Sequence, residues 1–284
     1  MSHRSNPFSC ARLGLIHVDR LYKVCDRLNK YEYRPYRVCD RSKKHVDRSY
    51  KVRDQSNKHA DRSYKNVTVK RDERMEMVPL KMVLFGATGR VGGEVLKLAL
   101  AEGHEVTVLV RSLEKLAPHD RLTVIQGDVR NAVTVSLAIA GMDVVFSALG
   151  TDKTTTLTEA IPHMIKAMKD IEVGRIVTIG TAGILQSKID PEKLRYEAGD
   201  TNRRLTFAAE EHHKVYDMLR LSGLEWTIVC PTYLPDGVAV DGYRTERDLL
   251  PGDGKQISVG DTAAFAYSEL LQGDNIGFRV GISY

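Results

Sequence analysis

The chain is short of the residues that build disulfide or metal scaffolds. It has 4 cysteines in 284 residues, and Cys10, Cys25 and Cys39 lie near the start, leaving Cys230 alone in the rest. No disulfide framework and no metal-ligand spacing results, so no metal is expected, and a reducing cytoplasmic setting is. No apolar run approaches the ~20 residues that cross a bilayer, and no apolar signal core opens the chain. No membrane partner is therefore expected.

Charge is unevenly spread. Residues 1–80 hold 20 Lys+Arg against 10 Asp+Glu, which leaves 22 against 27 for residues 81–284. The basic balance belongs to the first stretch and says little about partners of the rest. That rest, 81–284, is long enough for one substantial hydrophobic core.

The first stretch repeats with a period of 14. His17–Lys30 is one unit, Tyr31–Lys44 a second, His45–Lys58 a third, and His59–Lys65 begins a fourth. Fourteen is two heptads, but the apolar seam of Val18, Leu21, Cys25 and Leu28 fails in the later units, and Pro35 would break it. Two readings stand. One is a disordered segment with too little apolar surface to fold, even a repeat translated upstream of a later start at Met75, Met77 or Met82. The other is a basic, tyrosine-bearing arm for nucleic acid. Composition favours the first, so nucleic acid is not an expected partner.

The most informative stretch is Lys81 to Arg111. Met82-Val83-Leu84-Phe85 reads as a strand buried on both faces. Gly86-Ala87-Thr88-Gly89-Arg90-Val91-Gly92 follows, then an apolar helical stripe, then the β-branched run Val106–Val110. Strand, glycine turn, helix and strand in this order give a glycine motif meaning. Gly86 permits a tight turn, Gly89 lets a diphosphate approach the backbone, and Gly92 lets the helix pack close. Amide groups at the helix start would hold the diphosphate.

Further apolar strands are expected at Leu122–Gln126, Asp143–Ser147, Arg175–Ile179 and Trp226–Val229. Helices are expected over Asn131–Gly141, Thr158–Ile171 and Arg203–Ser222, and from Gly260 to about Leu271. Residues 231–258 hold turn residues and a candidate hairpin, and Phe278–Val280 reads as an edge strand. The alternation implies an α/β, doubly wound parallel sheet of the Rossmann kind, a single domain over 81–284 preceded by the disordered basic tail of 1–80. Ligands of such sheets sit beyond the carboxyl ends of the strands.

The second strand exits into Arg111-Ser112, where an NAD-binding chain often carries an acid. A guanidinium there suits a 2′-phosphate, so NADP(H) is expected over NAD(H), with Arg90 a second candidate. Together GATGRVG at 86–92, VTVLVR at 106–111, GDV at 127–129, SALGT at 147–151 and LRLSGLEWTIVCP at 219–231 resemble the atypical short-chain dehydrogenase/reductase superfamily. The closest resemblance is to the biliverdin-IX-beta reductase and NADPH-dependent flavin reductase group, followed by NmrA-like proteins. It covers Lys81 to Tyr284. It implies an NADPH-dependent reductase that passes hydride to a flavin, quinone or similar planar acceptor, the flavin being a substrate rather than a resident cofactor. The alternative it implies is a non-catalytic, NADP-binding redox sensor of the NmrA-like type.

Carried over by position, Gly86, Thr88, Gly89, Arg90 and Val91 would hold the diphosphate side and Arg111 the 2′-phosphate. Asp128 and Val129 would flank the adenine, and Ala148, Leu149 and Gly150 would line the nicotinamide ribose. The group's serine after the fifth strand falls at Thr181, and its histidine after the sixth at Tyr233. The second departure puts recognition of a propionate-bearing tetrapyrrole in doubt.

Hydride transfer asks mainly for positioning. Carbonyl reduction would use a Tyr-x-x-x-Lys pair, and no tyrosine here has a lysine four residues on. Thr181 is the candidate polar contact to nicotinamide or acceptor, against a hydroxyl bonded to backbone. Tyr233 is the candidate stacking residue, against a lid or core aromatic. His212 and Tyr216 read as packing residues, His213 as solvated and Cys230 as buried and inert. A monomer or weak oligomer is expected.

Overall fold

The structure, a computed structural model, describes residues 31–35, 48–54, 64–69, 79–200 and 206–284. The chain divides into two units, Met1–Val78 and Pro79–Tyr284. Within the first, Tyr31–Pro35, Arg48–Asp54 and Tyr64–Val69 pair as an antiparallel three-stranded sheet, with Tyr31 opposite Asp54 and Arg48 opposite Val69. Each strand places Tyr or Val two residues apart (Tyr31 and Tyr33, Tyr50 and Val52, Val67 and Val69), which is the strand period. Most of the expected disordered tail lies outside the described residues.

The second unit is built on eight strands. They are β1 (Lys81–Phe85), β2 (Glu105–Val110), β3 (Leu122–Gln126), β4 (Val144–Ser147), β5 (Arg175–Ile179), β6 (Glu225–Pro231), β7 (Arg244–Arg247) and β8 (Phe278–Ser283). The spatial order is β7-β8-β6-β5-β4-β1-β2-β3. All neighbours are parallel except β7, which runs antiparallel to β8. The helices are α1 (Arg90–Ala101), α2 (Ala132–Ile139), α3 (Thr156–Asp170), α4 (Arg195–Ala198), α5 (Phe207–Arg220) and α6 (Val259–Gln272). The order reverses between β1 and β4, which is the switch point of a doubly wound sheet.

Alternation along the strands divides the core into two layers. Val83 and Phe85 of β1 pack with α2, α3 and α5 residues such as Ile139, Ile161, Met164 and Leu219. Met82 and Leu84 face the other way, toward Val95 and Ala99 of α1 and Ala263 and Ala266 of α6. Burial of each large apolar side chain contributes ~1.5–3 kcal/mol, so the central strands are firmly fixed. No helix of the described residues is long and apolar enough to cross a membrane.

Three expectations are corrected. Phe278–Val280 begins an interior strand, β8, which lies between β6 and β7 rather than at an edge. Its Arg279 misleads: the residue is 4% exposed, with Nε donating to Asp248 Oδ1 at 2.9 Å and Nη1 to the Ile184 carbonyl at 2.5 Å. The hairpin expected in 231–258 does not form, because β7 pairs with the distant β8. The helix expected from Arg203 is described from Phe207, and residues 201–205 lie outside the described ones.

Candidate functional site

The glycine turn is shaped by contacts of its own backbone. Gly86 has φ +82°, and a Cβ there would lie 2.5 Å from the Ala148 carbonyl oxygen. A Cβ on Gly92 would lie 2.2 Å from the Gly86 carbonyl oxygen. Both are closer than any side chain allows, so glycine at 86 and 92 is what lets α1 start directly at the end of β1. The Gly89 amide closes the turn by donating to the Gly86 carbonyl at 3.0 Å. The Ala148 amide donates to the Phe85 carbonyl at 2.8 Å, which brings the β4 exit beside the β1 exit.

The start of α1 has no side-chain cap and no acidic residue in its first turn. Its first amides therefore point past the carboxyl edge of the sheet with their partial positive charge unopposed. Thr88, Gly89 and Arg90 are exposed there. Val91 is 7% exposed and packs in the core, so only its backbone faces the turn. This donor set suits the diphosphate of a dinucleotide.

Arg111 stands at the β2 exit, largely exposed, with Nη2 3.5 Å from Asp152 Oδ2 of the β4 exit loop. The Gln126 amide donates to the Arg111 carbonyl at 3.3 Å, and the Gly127 amide to the Val110 carbonyl at 2.9 Å. The exits of β2, β3 and β4 thus gather around Arg111. Asp128 turns its carboxylate inward to its own loop, where Oδ1 accepts from the Arg130 amide at 2.9 Å. Val129 sits in the core with 9% exposure. Beyond Ala148, Leu149 is half-buried and Gly150 exposed.

On the other half of the sheet, Thr181 caps the short turn Ala182–Ile184, its Oγ1 accepting from the Gly183 amide at 3.5 Å. This long bond leaves the hydroxyl free to donate. Tyr233, after β6, is 63% exposed, and its carbonyl accepts from the Ile257 amide at 3.0 Å. His213 is not solvated as expected: Nδ1 lies 2.9 Å from the Tyr196 hydroxyl and Nε2 3.6 Å from Asp217. Tyr216 packs as expected, edge-on to Trp226 and under the Arg279 guanidinium at 4.3 Å. Burial pulls the part-buried His212 imidazole down to about 4, against an opposing pull from Glu211. Burial pushes the Cys230 thiol up to about 12, so it is inert.

Several residues around the site escaped the sequence reading. Asp236 and Asp152 are the partners of Arg90 and Arg111. Asp261, fully buried at the start of α6, accepts from the Val240 and Asp241 amides at 3.1 and 2.9 Å, from Ser258 Oγ at 2.9 Å and from the Tyr284 hydroxyl at 2.5 Å. Burial alone would raise its pKa; those four donors outweigh it and hold the carboxyl below its usual value. The Ser258-x-x-Asp261 spacing is a helix-start signal that points to this cap. No group of three or more His, Cys, Asp or Glu among the described residues has the geometry of a metal site.

A doubly wound sheet with a glycine turn at its switch point defines a nucleotide-binding α/β protein. The particular family follows from its sequence pattern: the chain belongs to the NAD(P)H-binding family, which matches residues 86–272. It is similar to the uncharacterized protein YwnB of Bacillus subtilis, 27% identical over 199 residues that cover 67% of this chain and 92% of the relative. Among solved structures it resembles a candidate epimerase from Bacteroides thetaiotaomicron, 28% identical, with 73% of this chain and 98% of the other covered and a TM-score of 0.64. It shares its fold with a candidate NADH-flavin reductase from Streptococcus pneumoniae, 23% identical, with 72% and 99% covered and a TM-score of 0.61. The site is that of an NAD(P)H-binding chain.

Proposed function

We propose that the chain is an NADPH-dependent reductase that delivers hydride to a flavin, quinone or similar planar acceptor. The observation that carries the reading is the acid-free, uncapped start of α1 beside the β4 exit, with the Arg111 guanidinium standing exposed at the β2 exit. The dinucleotide supplies the hydride chemistry when bound. Backbone amides of Arg90 and Val91, with Thr88 and the bare Cα of Gly89, are assigned to its diphosphate, and Arg111 to its 2′-phosphate. Asp128 and Val129 are assigned to the adenine edge. Ala148, Leu149 and Gly150 are assigned to the nicotinamide side, and Gly86 to the turn that brings these strands together.

Thr181 is assigned to the nicotinamide amide or the acceptor as a hydroxyl donor. Tyr233 supports the reading as an exposed ring on which a flat acceptor stacks. A reduced flavin takes its proton from water, so the lack of a Tyr-x-x-x-Lys acid is no obstacle. The acceptor is assigned as a small molecule, with neither membrane nor nucleic acid as partner, and the working form as a monomer or weak oligomer.

The second reading, an NADP-binding redox sensor without turnover, draws support from the same lack of a strong acid. Turnover separates the two. NADPH oxidation with FMN, FAD, quinones and biliverdin as acceptors is expected to proceed with at least one flavin or quinone. Tight NADPH binding with no turnover on the whole panel would favour the sensor.

A further inference from the structure

Arg90 belongs to the glycine turn, yet its guanidinium reaches across to the β6 exit. Nη1 donates to the Leu234 carbonyl at 2.8 Å and to Asp236 Oδ1 at 3.0 Å. Nε and Nη2 make no hydrogen bond among the described residues. The loop it grasps carries an exposed apolar face on the second half of the sheet, with Tyr233, Val238 and Val240 exposed by 63%, 78% and 66%. The same loop is fastened on its other side to the start of α6. There the Val259 amide donates to the Pro235 carbonyl at 3.1 Å and the Gly260 amide to the Gly237 carbonyl at 2.9 Å. Arg90 is therefore a tie between the glycine turn and the loop that follows β6.

We infer that Arg90 is a positioning residue that couples cofactor binding to the loop of residues 233–240. A cofactor phosphate held by Nε and Nη2 fixes the guanidinium, and Nη1 then fixes Leu234 and Asp236. A forked guanidinium can hold both at once, which a lysine could not. Both side chains of the ion pair are exposed, so alone it holds the loop only weakly. That weakness is what leaves room for the phosphate to add order. Coupling is reciprocal, so an acceptor that settles on the loop tightens the cofactor by the same factor. About fivefold is expected, the low end of the usual range for coupled sites. The inference rests on the reductase reading for the nature of the acceptor, while its first test needs cofactor binding alone.

Hydrogen–deuterium exchange of the full chain over residues 232–243 is compared with and without saturating NADP+. Exchange is expected to slow on binding in the native protein, and the slowing to vanish in Arg90→Ala and Asp236→Ala, each held at its own saturating NADP+ concentration and checked for an unchanged melting point. At saturating NADPH, Asp236→Ala, which removes no group assigned to the cofactor, is expected to raise the KM for FMN about fivefold with kcat changed less than twofold. An Arg90 that only bound cofactor would leave that KM alone. Native protein that binds NADP+ by calorimetry without slowing, or variants that keep the slowing, overturns the coupling even if FMN is reduced. Slowing without turnover on any acceptor overturns the reductase reading and leaves the coupling intact. Failure to bind NADP+ at all overturns both.

Discussion

Arg111 is the residue we propose to choose between the two nicotinamide dinucleotides, and its setting sharpens the test. Asp152 stands 3.5 Å away, a loose partner that a 2′-phosphate can displace. Hydrogen bonds to charged groups contribute ~1.5–3 kcal/mol, about 10–100-fold in affinity. Arg111→Glu is expected to weaken NADPH by at least about tenfold and NADH by much less, measured as Kd by fluorescence titration. Equal losses for both would remove the 2′-phosphate assignment. Two histidines supply a second residue-scale expectation. Burial lowers His212 from 6.5 to about 4 and lowers His104 as well, each against a weaker opposing pull from Glu211 and Glu102. Because the folded values lie below the unfolded one, the unfolded chain takes up protons first as pH falls. The stability tied to these neutral imidazoles is whole above about pH 6.5 and is lost progressively toward pH 4. The urea midpoint should be lower at pH 5 than at pH 7.5, and His212→Gln should flatten that slope. A midpoint that rises on acidification would contradict the sign.

At the scale of the element, Gly92 shows how α1 is held. A Cβ added there meets the Gly86 carbonyl oxygen at 2.2 Å, so Gly92→Ala must push the helix off the turn. The expected cost is ~1–3 kcal/mol, a melting point lower by several degrees, with weakened NADPH binding because the amides move together. An alanine variant as stable and as tight as the native protein would mean the turn is more pliable than its geometry implies. The elements that sequence made legible are those whose burial leaves a pattern. β1, β2, β4, β5 and β6 are apolar because helices cover both their faces. Helix starts were legible to within a few residues, as with Asn131, whose side chain caps α2. β7 was not legible: Arg244-Thr245-Glu246-Arg247 is an exposed edge with no apolar face. β8 was half legible, because a buried arginine reads as a surface one until Asp248 and the Ile184 carbonyl are seen around it. For the site, local motifs gave the glycine turn and the strand exits. Arg90 with Asp236, and Tyr196 with His213, are joined only by the fold, so no spacing announces them.

For the molecule as a whole, the division at Val78 and Pro79 separates the basic stretch from the nucleotide-binding sheet. The family pattern lies wholly in the second unit, over residues 86–272. We expect a chain lacking residues 1–74 to keep its NADPH Kd within about twofold. A large loss would give the repeat stretch a part in binding.

The place of β8 carries a consequence for how the molecule is made. This strand follows β6 and β7 in the chain, yet it is the inner rung between them, and Tyr284 just after it supplies the hydroxyl that Asp261 holds and a carbonyl for Arg244. Until β8 has emerged from the ribosome, β6 presents a bare flank and β7 has nothing to zip against. Both neighbours must wait for β8, a window in which sticky edges are open to other chains.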